Sequence, residues 1–327
     1  MNISNTSFYS AHGAIPYTLT NDYMFRAILQ QNNTVLKGLI CSLLHLAPEH
    51  IHSVIIRNPI ELGKTVDAKA FILDIEVILN NNTLINLEMQ VINHGFWSER
   101  SLSYLCRSFD SLNKGENYSA VKPVIHIGFL DFTLFPEYPE FYSTYMLLNV
   151  KNNAVYSDKF KLSVVNLNQI ELATEEDKKY HIDYWAKLFK ATTWEEIKML
   201  AAKNEYIQKA SESLFELCAE DDIRRQCEAR EDYYRLERTI QSEHQQLLNS
   251  FRHTQNELCN AQNELSNTQN ELSNAQNELS NAQNELSNAQ NELSNAQNEL
   301  SNAQNELDIV KQENARLKAQ LKALQAN

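Results

Sequence analysis

The sequence predicts an α/β protein: a mixed sheet flanked by helices, followed by more helices and a long C-terminal coiled coil. Three observations lead there. The first 170 or so residues order their periodicities as helix, strands, helix, strand, the pattern of an α/β core. From Glu175 the pattern turns helical throughout. From Asn256 a seven-residue unit repeats almost without variation. These divide the chain into a leader (1–15), an α/β core (16–175), a helical appendix (176–250) and a heptad-repeat coil (251–327).

The first element is "TNDYMFRAIL", a helix that Thr20 or Asn21 can cap, with Asp22 suited to the positive end of its dipole. "NNTVLKGLICSLLHLA" is a second helix, stopped before Pro48, and "SVIIRN" a short strand. A hairpin within Ala68–Ile92 turns at Asn80-Asn81-Asn82, because Asn tolerates the left-handed backbone. Side chains alternate along a strand, so Ile85, Leu87 and Met89 share one face and Asn86, Glu88 and Gln90 the other. By the same rule Asp74 and Glu76 oppose Ile75 and Val77. "SERSLSYLCRSFDSLN" is a helix with Ser98 as cap and Leu102, Leu105, Phe109 and Leu112 as its inner stripe. "PVIHIGFLDF" is apolar enough for a strand buried on both faces. Two further strands follow in "FYSTYMLLNV" and "KLSVVNLNQI".

In the coil, Leu258 and every seventh residue to Leu307 form an a seam, with Ala or Thr at d. The seam closes through Val310, Leu317, Leu321 and Leu324, and Asn314 falls at an a position, which favours two parallel chains. Residues 258–324 thus predict a parallel homodimer through a rod about 100 Å long. The competing reading is a low-complexity tract without a partner. The absence of Gly and Pro and the unbroken period favour the coil.

Charge narrows the function. The net charge is −13, whereas a protein that binds nucleic acid mainly by neutralising phosphates is basic. Five scattered cysteines without a CxxC pair argue for reduced thiols and a cytoplasmic setting. "MNISNTSFYS" reads as no targeting signal, and no apolar run is long enough to span a bilayer.

The hairpin carries the chemistry. A hard cation such as Mg²⁺ takes oxygen ligands and keeps several waters, so two carboxylates on adjacent strands anchor it. Asp74 and Glu88 meet that pattern, and Gln90, two residues on, shares the face of Glu88. A half-exposed antiparallel sheet explains the same residues without a metal. Tyr104 and Arg107 lie on successive turns of the following helix, where they could brace a site or simply pack.

The runs "LTNDYMF", "GKTVDAKAFILDIEVILNNNTLINLEMQV" and "GENYSAVKPVIHIGFLDF" resemble the PD-(D/E)XK nuclease family transposases, close to the Rpn recombination-promoting nucleases. The resemblance extends over roughly residues 16–245. It implies a restriction-endonuclease-like core and a Mg²⁺-dependent DNA endonuclease, with Mn²⁺ as an alternative cofactor and DNA as partner. Position by position it makes Asp74 and Glu88 the metal-binding carboxylates and sets Gln90 at the lysine position; Asp67 and Asp22 are accessory candidates. Gln positions water but adds no charge. A catalytically weak core acting as a coiled-coil interaction protein is the second reading.

Overall fold

The computed structural model describes residues 7–60, 75–110, 112 and 114–325, with side chains through residue 322. The chain divides into two compact units, Met1–Ser242 and Glu243–Asn327.

In the first unit α1 (Asp22–Gln31) begins at Asn21, whose side chain accepts from the amides of Tyr23 and Met24. One residue, Asn32, separates it from α2 (Asn33–Leu44) and caps that helix in the same way. Strands β1 (Val54–Ile56), β2 (Ile75–Leu79) and β3 (Thr83–Gln90) follow. In the three-residue connection Asn80–Asn82, Asn80 and Asn81 take φ of 52° and 57°, and the Asn82 amide closes the turn onto the Leu79 carbonyl at 3.0 Å. Asn80 Oδ1 also accepts from the amides of His52 and Ser53, tying the turn to the approach of β1.

Next come α3 (Trp97–Phe109), β4 (Val124–Leu130), β5 (Tyr142–Leu148) and β6 (Val155–Asn166). The strands form one mixed sheet in the order β1-β2-β3-β4-β6-β5. The central strands β3, β4 and β6 run parallel, and antiparallel pairs close both sides. All seven residues of β4 are buried, as its apolar run predicts.

The remaining helices of this unit are α4 (Glu175–Lys179), α5 (Ile182–Lys190), α6 (Trp194–Ala201), α7 (Glu205–Ala219) and the start of α8 (Asp221–Gln325). They complete the core of the sheet. Ile75, Val77, Ile85, Leu87 and Met89 lie in one buried cluster with Leu39, Trp185 and Leu214. Phe25, Phe129 and Phe189 meet there, their ring centroids 5.3 to 5.5 Å apart.

The opposite face is covered by α3. Its inner stripe is Trp97, Ser101 and Leu105, every fourth residue, while Leu102 is exposed. Phe96, not Ser98, stands at the cap position, and Ser98 lies inside the first turn. The apolar i, i+4 spacing begins one turn earlier than the sequence suggests because Trp97 packs inward. Gly128 of β4 makes this approach feasible: a Cβ there would lie 2.2 Å from Cζ2 of Trp97. Gly128→Ala must therefore push α3 off the sheet. It is expected to cost about 1–3 kcal/mol, read as a lower midpoint of denaturant unfolding; an unchanged midpoint would refute this packing.

In the second unit α8 continues as unbroken helix through Gln325. The seam residues from Leu258 to Leu321, including Val310 and Leu317, are 50% to 61% exposed. Among the described residues, these exposed apolar side chains recur on one stripe of the helix.

Candidate active site

The alternation in β3 sorts its residues as expected. Leu87 and Met89 enter the helical core, and Asn86, Glu88 and Gln90 point under α3. The parallel register sets Asn86 beside His126 and Glu88 beside Gly128. The missing side chain at 128 leaves space next to Glu88 that Trp97 and its helix fill. Glu88 is 4% exposed, an unusual setting for a carboxylate. Burial on that scale needs compensation.

Arg100, one turn into α3, provides it. Its Nη2 lies 2.6 Å from Glu88 Oε1, and its Nη1 donates to Gln90 Oε1 at 3.1 Å. Gln90 Nε2 donates in turn to the carbonyl of Ile92 at 2.8 Å, which fixes which end of the amide faces the guanidinium. The Arg100 side chain remains 32% exposed, so this corner of the site is open to solvent. Two of the proposed site residues therefore converge on one cation.

The second oxygen of Glu88 faces His126, whose Nε2 is 3.6 Å away, beyond hydrogen-bond length. Asn86 Nδ2 stands 3.0 Å from His126 Nδ1. With the amide in this orientation Nδ1 accepts, and the proton of the neutral ring sits on Nε2, toward the carboxylate. The ring is fully buried beneath Trp97 and Tyr104, at centroid separations of 5.7 and 6.3 Å. Burial, helped by the Arg100 charge, pushes the His126 pKa down to about 3. His126 is thus a neutral donor beside Glu88, with no counterion role.

Asp22 occupies a different environment. Its carboxylate is buried and forks onto Arg230 of α8, with Nε donating to Oδ1 at 2.7 Å and Nη2 to Oδ2. Its amide donates to the Tyr234 hydroxyl at 3.2 Å. Desolvation works against the Arg230 charge, yet Asp22 outweighs it and holds the guanidinium pKa above its usual value. The start of α8 also reaches the end of β3: Gln241 Nε2 donates to the Asn93 carbonyl at 2.9 Å, and Glu237 lies 4.0 Å from His94. Asp74 and Asp67 lie outside the described residues. The described residue next to Asp74, Ile75, pairs with Leu87.

Arg100, His126 and Arg230 escape a reading of the sequence. Arg100 sits on a helix with ordinary polar spacing, His126 in an apolar strand, and Arg230 some 200 residues from Asp22. One signal for Arg100 is its phase with Trp97 and Tyr104, which places it on the rim of the stripe facing the sheet.

Among the described residues no group of three or more His, Cys, Asp or Glu side chains gathers as a metal cluster. The donors that do converge are oxygens, Glu88 Oε1 and Gln90 Oε1, already turned toward a positive charge. That donor chemistry suits a hard divalent cation.

A mixed sheet with parallel centre, flanked by helices and carrying a Glu-x-Gln whose Glu is buried on a central strand, is a restriction-endonuclease-like α/β fold. The family model of PD-(D/E)XK nuclease family transposases matches residues 19–244, and the chain belongs to that family. No curated protein and no solved structure matches it. PD-(D/E)XK nucleases generally use divalent metal ions, and the family supports a nuclease- or transposase-like function that acts on DNA. Among the described residues no helix is long and apolar enough to cross a membrane.

Proposed function

We propose that the protein is a Mg²⁺-dependent DNA endonuclease that hydrolyses phosphodiester bonds, with Asp74 and Glu88 as the metal-binding carboxylates. The observation that carries this reading is Glu88: a buried carboxylate on a central strand, bound by the Arg100 guanidinium at a corner of the site that stays open to solvent. Asp74 precedes Ile75, whose partner Leu87 precedes Glu88. When bound there, the cation would polarise a phosphate oxygen and lower the pKa of an attacking water. Gln90 keeps a second lone pair on Oε1 and a second proton on Nε2, enough to orient a water molecule. Asp22, at the start of α1, is proposed as an accessory that braces α8 against the core through Arg230. Asp67 is proposed as a further accessory on family position alone.

A plasmid-nicking assay tests the reading. Cleavage is expected with Mg²⁺ or Mn²⁺, none with EDTA, and none for Asp74→Ala under any of them. Cleavage that survives EDTA or Asp74→Ala would overturn it. Folded protein without any cleavage would favour the interaction-protein alternative.

The coil is proposed to hold two chains in parallel through residues 258–324. The support is an apolar stripe left uncovered along a continuous helix, together with Asn314 at an a position. Two cores so paired suit the cutting of both strands. Replacing Val310, Leu317, Leu321 and Leu324 with polar residues is expected to halve the sedimenting mass and weaken paired cleavage while single nicks persist. A monomer in the unmutated protein at micromolar concentration would contradict the dimer.

A further inference from the structure

We infer that Arg100 supplies the positive charge that position 90 lacks, delivered from α3 instead of from β3. The inference rests on the nuclease reading above and names a residue of that same site.

The geometry carries it. Glu88 and Gln90 are two residues apart on one strand face, and a single guanidinium meets both, at 2.6 and 3.1 Å. Gln90 is anchored through Nε2 on the Ile92 carbonyl, so it presents an oxygen to Arg100. An acceptor is the chemistry this neighbour needs. A lysine ammonium at position 90 would instead stand against the guanidinium, two like charges in a partly buried corner. Gln at 90 and Arg at 100 therefore read as one unit, the charge having a different backbone origin but the same destination.

Arg100 is also placed to meet a substrate. Its guanidinium carbon lies 5.5 Å from the centroid of the Tyr104 ring, one turn along α3. Trp97, one turn back, seats the helix against Gly128 and His126. The helix is thereby fixed at both turns beside Arg100, while a third of the side chain faces solvent. A planar fork of five donors matches phosphate oxygens, and contact with Glu88 and Gln90 employs only part of it. A residue serving only as counterion to Glu88 would need no open side.

The test moves the charge. Arg100→Met is expected to lower Mg²⁺-dependent nicking by about 10- to 100-fold, with Arg100→Lys retaining most of it. Gln90→Lys alone is expected to reduce nicking through crowding of two cations. Combined with Arg100→Met, Gln90→Lys is expected to restore at least tenfold over Arg100→Met alone. Mn²⁺ affinity, measured by calorimetry without DNA, should be kept or tightened in Arg100→Met, because the cation no longer competes for Glu88 Oε1. In an active protein, Arg100→Met nicking at the parental rate would overturn the inference and leave the nuclease reading intact. So would a double variant no faster than Arg100→Met, or a loss of Mn²⁺ affinity in Arg100→Met that accounts for its slower nicking. If the unmutated protein does not cleave at all, the nuclease reading falls and this inference falls with it.

Discussion

Glu88→Ala is expected to reduce phosphodiester cleavage on the order of 10³-fold or more, the scale at which preorganised charge contributes to a reaction. The effect on stability should be far smaller. Arg100 loses one partner but keeps Gln90 and access to water, and His126, already neutral, loses only a distant neighbour. Loss of a charge-assisted contact at a partly exposed site corresponds to about 1–2 kcal/mol, and removal of a buried carboxylate offsets part of it. Glu88→Gln, which preserves shape, should fold like the parent and still fail to cleave. A Glu88→Gln protein that nicks plasmid within tenfold of the parental rate would show that this carboxylate is not a metal ligand.

The largest effect on stability is expected at Arg230. Arg230→Met retains much of the apolar stem packed near Tyr233 and Tyr234, whose ring centroids lie 4.8 and 5.1 Å from the guanidinium carbon. It strips the counterion from Asp22 in a buried site, and an uncompensated buried charge costs about 3–5 kcal/mol. All three tryptophans, Trp97, Trp185 and Trp194, belong to the first unit, so fluorescence during urea unfolding reports that unit without the second. Asp22→Leu combined with Arg230→Met should regain most of the loss, because no charge is then stranded. A loss below about 1 kcal/mol for Arg230→Met would place the Asp22 carboxylate in effective contact with water.

The hairpin and its two faces were legible from local chemistry. Asn80 and Asn81 mark the turn by their tolerance of positive φ, and strict alternation then separates Leu87 and Met89 from Glu88 and Gln90. The long C-terminal helix was legible for a similar reason, since its period is a property of neighbouring residues alone. What alternation does not convey is which groups arrive from elsewhere. Arg100 reaches Glu88 because Gly128 lets Trp97 approach the sheet, a condition set by β4 and invisible in the sequence of α3. His126 looks like one polar interruption of an apolar strand until the parallel register places it beside Asn86. The helices after Glu175, separable by periodicity, join the core because the other face of the same sheet requires cover: Trp185, Phe189 and Leu214 supply it. Gln90, a departure from lysine in sequence, fits its place once Arg100 stands opposite.

The central claim is that Glu88 and Asp74 hold one divalent cation. Crystals of the protein grown with Mn²⁺, with diffraction recorded at the manganese absorption edge, test it most directly. A single anomalous peak at about 2.1–2.3 Å from a carboxylate oxygen of each residue, with water completing the shell, is the expected result. Anomalous density elsewhere, with Glu88 still bound to Arg100 at saturating Mn²⁺, would contradict it.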